Sequence, residues 1–188
     1  MNKPLPSGAR IGILGGGQLG RMLSVAAARL GFQCHIFEPG DSPPAGLVAA
    51  KVIKADYLDL PAVAAFAENV DVVTFEFENI PTETLDLIET LKPVRPGRTA
   101  LAASQDRVLE KRFLTDLGLA TAAFSVVDSL DDLQDAIDRI GLPAILKTRR
   151  FGYDGKGQVR IGKPDEAEAA FQALKGAPVI LEAMVDFS

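Results

Sequence analysis

The sequence predicts an α/β protein whose first part is a doubly wound, mainly parallel sheet and whose second part is a smaller α+β region. Three observations predict it. Short β-rich runs alternate with amphipathic helical stretches at short intervals up to about residue 98. A glycine-rich turn, GGGQLG, joins the first strand to the first helix. Beyond residue 98 the alternation gives way to acidic helices and to strands separated by turns, which places a boundary near residues 93–104.

The elements follow in order. ARIGIL (9–14) is a strand, and RMLSVAAARLG carries Leu, Met and Ala at helical spacing before stopping at Gly31, a natural residue just past a helix end. QCHIF (33–37) reads as a buried second strand and VIKA (52–55) as a third. Asp59 can cap a helix over LPAVAAFAENV. DVVTFEF (71–77) is the fourth strand, followed by a helix over 82–91 and the proline-rich KPVRPG. LAASQDRVLEKRFLTDLGL reads as one long amphipathic helix ending at Gly118, with Leu109, Phe113, Leu114 and Leu117 on one stripe. AAFSVV is a strand, and Ser129 with Asp132 opens an acidic helix to Ile140 as a capping box. LPAILK (142–147), the loop RRFGYDGKGQ and VRIG form a strand–loop–strand unit. Pro164 starts a helix over 164–174, and PVILEAMV (178–185) is the last strand. Few strands and no evident closure of the second sheet lead us to expect an incomplete domain.

Composition narrows the function classes. Of 188 residues, 47% are hydrophobic and 24% charged, which fits a globular chain and excludes disordered or fibrous classes. The net charge of −5 argues against a general nucleic-acid binder, whose phosphate partner demands surplus Lys and Arg. A single cysteine, Cys34, excludes a disulfide framework, and a single histidine, His35, leaves no histidine cluster for zinc. No apolar run approaches the roughly 18 residues that span a bilayer, and MNKPLPSGAR lacks the apolar stretch of a secretory signal. A soluble, cytoplasmic protein without nucleic-acid or membrane partners is expected.

Three stretches could carry chemistry. Gly15-x-Gly17-x-x-Gly20 follows a strand and opens a helix, and Glu38 ends the next strand. This is the dinucleotide pattern, in which backbone N–H groups approach a phosphate and the acid meets a ribose. It is equally a tight turn holding another anion or none, and Glu38-Pro39-Gly40 reads as a strand-end turn. Residues 147–160 set Lys147, Arg149, Arg150, Lys156 and Arg160 against Asp154, with Gly152, Gly155 and Gly157 interleaved. Cations and exposed amides suit a polyphosphate cover; the plainer reading is a solvated hairpin loop. It is not a Walker loop. In Phe75-Glu76-Phe77-Glu78 a strand would place both glutamates on one face. Glu76 could then meet a substrate amine or hydroxyl, or simply solvent. Cys34 and His35 are read as core residues, and the aspartates at 128, 131, 132, 135 and 138 as a solvated helix face.

Together, IGILGGGQLGRML, TFEFENIP, SQDRVLEKRFLTDLGL, AILKTRRFGYDGKGQ and ILEAMV, in this order and spacing, resemble the N-terminal part of the N5-carboxyaminoimidazole ribonucleotide synthetases, ATP-grasp enzymes of purine biosynthesis. The resemblance covers nearly all of residues 9–187. It implies a Rossmann-like pre-ATP-grasp domain (1–98), a linker helix (99–119) and an ATP-grasp lid domain (120–188). A large ATP-grasp domain would follow, so the magnesium ligands and much of the substrate pocket are expected outside these residues, and the 188 residues alone are expected to be inactive. It implies ATP-dependent carboxylation of 5-aminoimidazole ribonucleotide by bicarbonate through carboxyphosphate, with ATP and Mg2+, in a homodimer. Arg107, Lys147, Gly152–Gln158 (with Tyr153, Asp154, Gly155, Lys156 and Gly157) and Glu182, Ala183, Met184 and Val185 match the ATP-binding positions. Tyr153, Asp154 and Lys156 match the loop associated with the aminoimidazole nucleotide and bicarbonate, and Gln18, Leu19 and Glu76 match the substrate cleft. No residue of this chain is assigned to a metal. Competing readings are an NAD-dependent oxidoreductase, which leaves loop 147–158 idle, and a non-catalytic nucleotide-binding or dimerisation module.

Overall fold

The computed structural model describes residues 4–152, 155–174 and 176–186. The chain divides into two compact units, one up to Ala102 and one from Ala103.

In the first unit β1 (Arg10–Leu14), β2 (Gln33–Phe37), β3 (Lys51–Ile53) and β4 (Val72–Phe75) form a parallel sheet in the order β3-β2-β1-β4. Adjacent residues of a strand point to opposite faces, and both faces are apolar here. Ile13, Cys34 and Ile36 cluster with Ala27 of α1 (Gln18–Arg29). Leu14, Phe37 and Val73 cluster with Val63 and Phe66 of α2 (Leu60–Glu68) and with Leu85 and Ile88 of α3 (Thr82–Leu91). The doubly wound sheet is therefore as expected. Asp59 caps α2 by accepting the Ala62 N–H at 3.1 Å, and Gly31 ends α1 at φ +83°. Gly12 lets α2 approach β1, since a Cβ there would lie 2.6 Å from Phe66 Cζ.

Two expectations fail in this part. The strand read over 71–77 ends at Phe75, so Glu76 and Glu78 do not alternate along a strand. The long helix read from Leu101 to Gly118 is two helices, α4 (Arg98–Ser104) and α5 (Arg107–Asp116). Asp106 breaks it. Its backbone is extended (φ −135°, ψ 123°), and its carboxylate accepts the Val108 and Leu109 N–H groups at 2.9 and 3.4 Å, the geometry of an N-cap. The expected apolar stripe is not the buried one: Leu109, Phe113 and Leu117 are exposed, while Val108, Lys111 and Leu114 lie on the inner side.

The second unit carries an antiparallel sheet in the order β5-β8-β6-β7, from β5 (Phe124–Val127), β8 (Val179–Ala183), β6 (Ala144–Thr148) and β7 (Gln158–Ile161). One face buries Val127, Val179, Leu181, Ala144, Leu146 and Ile161 against α6 (Leu130–Ile140) and α7 (Ala167–Ala173). Ser129 caps α6 as expected, accepting the Asp132 N–H at 3.1 Å. The helix read from Pro164 begins as a short 3₁₀ turn, Pro164–Glu166, and becomes α-helical at Ala167. By alternation the opposite sheet face carries Phe124, Glu182, Ile145, Lys147 and Gln158.

Asp106 does a second job. Arg149, just past β6, holds its carboxylate with Nη2 at 2.8 Å and Nε at 3.0 Å from Oδ2, fastening the start of α5 to the end of β6. Burial pushes the Asp106 carboxyl up, but the hydrogen bonds from Arg149 and the Val108 N–H outweigh it and hold the group below its ordinary range. A carboxyl depressed by folding contributes stability that is present above its unfolded value, about 3.9, and is lost as pH falls below it. We therefore expect Asp106→Asn to lower unfolding stability at pH 7 by about 2 kcal/mol or more, since it weakens a cap and leaves Arg149 facing a neutral amide. Urea denaturation should show this difference shrinking steadily below pH 4; an equal loss at pH 7 and pH 3 would remove the ionic clamp.

Candidate functional site

The glycine turn of the first unit lies where the carboxyl ends of β1, β2 and β4 meet, because Leu14 pairs in register with both Phe37 and Phe75. Four of the amides there have protein partners. The Gly15 N–H donates to Phe37 O at 3.0 Å, and the Gly16 N–H to Glu38 Oε2 at 2.8 Å. The Gly17 N–H donates to Glu76 Oε1 at 2.5 Å, and the Gly20 N–H donates to Glu76 Oε2. Glu76 thus caps α1 from a distant point in the chain. At Gly17 and Gly20 the anion at this helix start is the protein's own carboxylate. Glu38 likewise does not stand free for a ribose: it also accepts from the Gly40 N–H at 2.8 Å and the Tyr57 hydroxyl at 3.3 Å. Burial, then the charge of Glu38, pushes the Tyr57 phenol well above its ordinary range, so it remains a donor. Gln18 and Leu19, both exposed, lie between the two amides that hold Glu76, so the turn brings together all three residues matched to the substrate cleft. Each carboxylate oxygen of Glu76 keeps a further lone pair for a hydroxyl donor.

In the second unit the sheet face opposite α6 and α7 carries the charges. Lys147 Nζ lies 2.9 Å from Glu182 Oε2, and Lys111 Nζ lies 3.5 Å from the same oxygen. Glu182 is 7% exposed. The Lys111 ammonium also stands 5.6 Å from the centroid of the Phe124 ring. Gln158 pairs with Lys147 across β6 and β7. Next to Glu182, the Ala183 and Met184 N–H groups donate to Ala123 O (2.8 Å) and Pro143 O (3.3 Å), so neither is a donor to a ligand. Met184 and Val185 are exposed.

The glycine loop turns on backbone geometry. Gly155 and Gly157 have φ of +77° and +70°, a region that favours glycine. Gly157 is further confined because a Cβ would lie 2.5 Å from Thr148 Oγ1. Arg107 sits beneath the loop: its N–H donates to Arg149 O at 3.0 Å, its Nε donates to Thr148 O at 3.2 Å, and a Cβ on Gly152 would be 3.2 Å from its Nη2. A cavity of about 510 Å3 opens at the base of the loop between Thr148, Arg150, Phe151, Gly157 and Pro178, and neither Lys147 nor Glu182 lines it. Lys156 is exposed. Tyr153 and Asp154 lie outside the described residues.

The surplus of positive charge read over 147–160 is smaller in space than in sequence. Lys147 faces Glu182, Arg149 faces Asp106, and Arg150 reaches Gln105 Oε1 at 3.4 Å and stands 5.5 Å from the Phe151 ring centroid. Sequence reasoning missed Asp106 and Lys111. Their signals were an aspartate before Arg107 inside an unbroken helical pattern, and a lysine at helical spacing between Val108 and Leu114. His35 and Cys34 are buried core residues as expected. Burial, then the charges of Arg10 and Lys51, holds the imidazole below its ordinary value, and burial pushes the thiol up. Among the described residues no group of three or more His, Cys, Asp or Glu could hold a metal ion, and no helix is long and apolar enough to cross a membrane.

Comparison with known proteins bears on the whole chain. Residues 9–105 match the family described as the ribonucleotide synthetase pre-ATP-grasp domain, and residues 112–188 match the ATP-grasp domain. The chain is 48% identical over 185 residues to the N5-carboxyaminoimidazole ribonucleotide synthase of Brucella melitensis biotype 1, covering 97% of this chain and 51% of that protein. It is 46% identical over 187 residues to the bifunctional purine synthesis protein purC/E of Dictyostelium discoideum, covering 97% and 19%. Among solved structures, an ADP complex of an N5-carboxyaminoimidazole ribonucleotide synthetase superposes with a TM-score of 0.93 at 38% identity, over 100% of this chain and 50% of that one. An Aspergillus clavatus N5-carboxyaminoimidazole synthase in complex with ADP and 5-aminoimidazole ribonucleotide superposes with a TM-score of 0.85 at 28% identity, over 97% and 48%. The chain spans about half the length of these synthases. The chain therefore belongs to the ribonucleotide synthetase pre-ATP-grasp domain family over residues 9–105, with ATP-grasp sequence matched from residue 112.

Proposed function

We propose that the protein serves the ATP-dependent carboxylation of 5-aminoimidazole ribonucleotide by bicarbonate. The observation that carries this reading is the Lys147–Glu182 pair on the face of β6 and β8 opposite α6 and α7, beside a glycine loop whose backbone only glycine readily adopts. In the proposed sequence a bicarbonate oxygen takes the γ-phosphoryl group of ATP, giving carboxyphosphate and ADP. Carboxyphosphate then loses its C–O(P) bond to release CO2 and inorganic phosphate. The exocyclic amine bonds to the CO2 carbon and gives up a proton, leaving the N-carboxy product.

Roles follow from chemistry and position. Lys147 and Arg107 are cations for phosphate oxygens. The amides of Gly152–Gln158 cover developing charge on the transferred group. Glu182 to Val185 edge the adenosine, with Ala183 and Met184 using groups other than their N–H. Tyr153, Asp154 and Lys156 are assigned to the reacting amine and bicarbonate. Gln18, Leu19 and Glu76 are assigned to the aminoimidazole nucleotide, Glu76 as acceptor for ribose hydroxyls and not as a phosphate site. Magnesium supplies charge neutralisation between phosphates in such transfers. As the family resemblance implies, we assign its ligands outside these residues. The proposal includes a cytoplasmic homodimer, which exposed Met22 and Leu23 on α1 support, and a functional division at 1–98, 99–119 and 120–188. Neither an NAD-dependent oxidoreductase nor a non-catalytic module is favoured, because the relatives are named as synthases and solved with ADP, and Glu76 occupies the Gly17 and Gly20 amides of the turn.

Two kinetic outcomes are expected in the intact protein. Lys147→Ala should raise the KM for ATP about tenfold or more with little change in that for 5-aminoimidazole ribonucleotide, as loss of a charged hydrogen bond to phosphate requires. Steady-state phosphate release measures this, and unchanged ATP kinetics would take Lys147 out of the site. Gly155→Val should slow turnover more than it lowers the melting temperature, because the strain falls on the loop and the nearest atom to a new Cβ is Gln158 Nε2 at 3.7 Å. Full turnover per folded molecule with reduced stability would mark Gly155 as merely structural.

A further inference from the structure

Lys111 is given no role by the family motifs, yet it stands in the centre of the charged face. Its side chain is 13% exposed, and its ammonium lies 3.5 Å from the Glu182 oxygen that Lys147 approaches to 2.9 Å. One buried carboxylate thus has two cations, more positive charge than a single ion pair needs. The two lysines come from elements that are fastened together. Lys111 is on α5 and Lys147 on β6, and the Asp106–Arg149 pair joins the start of that helix to the end of that strand. The Phe124 ring, which pairs in register with Glu182, further fixes the Lys111 ammonium.

We propose that Lys111 is a positioning residue that takes over Glu182 when Lys147 turns to a nucleotide phosphate. The inference rests on the nucleotide reading of this face. A phosphate beside Lys147 competes with Glu182 for the same ammonium. If Lys147 were the only partner, its departure would leave a buried carboxylate without a counter-charge, a strongly unfavourable state. Lys111 removes that penalty, because a small side-chain movement turns its longer contact with Oε2 into a full charge-assisted hydrogen bond. Lys147 is then free to bind phosphate without disrupting the strand pair beneath it. The effect belongs to the phosphate part of the ligand, since adenosine without phosphate gives Lys147 no reason to leave Glu182.

Calorimetric titration of the intact protein with ADP and with adenosine separates this role from a structural one. Lys111→Met and Lys111→Gln should each weaken ADP binding about tenfold or more, the scale of a lost charge-assisted contact, while adenosine affinity stays within about twofold. Lys111→Arg should restore most of the ADP affinity. Unchanged ADP affinity in both neutral variants would overturn the proposal, and so would an equal weakening of ADP and adenosine, the sign of general damage. If the unaltered protein bound adenosine but gained nothing from the phosphates of ADP, the takeover would be excluded while an adenosine site stood. If it bound neither, the nucleotide reading itself would fall, and the inference with it.

Discussion

The carboxylate of Glu76 on the N-terminus of α1 determines what the first unit can do. A helix start presents unpaired N–H groups and the positive end of the helix dipole, so an anion is favoured there. Topology provides one from inside the chain. In the parallel register Leu14 lies opposite Phe37 on one side and Phe75 on the other, and the next residues are Glu38 and Glu76. Both carboxylates therefore arrive beside the turn that follows Leu14, Glu38 at Gly16 and Glu76 at Gly17 and Gly20. Charge-assisted hydrogen bonds of this kind contribute about 1.5–3 kcal/mol each. The glycines are needed for close approach, but what approaches them is protein. A pattern that in other sheets receives a pyrophosphate here becomes a rigid shelf carrying a carboxylate with remaining acceptor capacity.

The second unit repeats the device with a different result. Asp106 closes the N-terminus of α5 and at the same time holds Arg149, so a helix cap becomes a joint between α5 and β6. Across the sheet, alternation sends one set of side chains into the α6–α7 core and the other onto a face with Lys147, Glu182 and Phe124. Ile145, between them, pairs with Glu182, so Lys147 and Glu182 are diagonal neighbours on that face, within reach of a long side chain. The basic loop beside them is shaped by Gly155 and Gly157, while Arg107 braces it from below through the Thr148 and Arg149 carbonyls.

Much of this was legible in the residues, and the part that was not has a physical reason. Strand and helix positions rest on local periodicity, and caps such as Asp59, Ser129 and Gly31 act within a turn of their own position, so they could be read directly. The motifs SQDR, ILK and GYDGKGQ pointed to the lysine, arginine and glycines that the second unit gathers around one strand–loop–strand unit. The end of β4 was misread because Phe75-Glu76-Phe77-Glu78 alternates like a strand, whereas pairing stops where its neighbour β1 stops, at Leu14. The break at Asp106 was hidden because amphipathic pattern continues on both sides of it. The roles of Glu76, Arg149 and Lys111 depend on partners far away in the chain, at Gly17 and Gly20, at Asp106 and at Glu182. No window of sequence contains such a pair.

The most direct measurement is a pair of calorimetric titrations of the intact protein, with ADP and with NADH, followed by competition between them. The proposed roles of Lys147 and Glu182 in holding a nucleotide require saturable binding of ADP. They also require that any NADH bound be displaced by ADP, through the adenosine diphosphate portion the two ligands share. Saturable micromolar binding of NADH that ADP does not displace would place a dinucleotide on the glycine turn and contradict the closure of that turn by its own carboxylate.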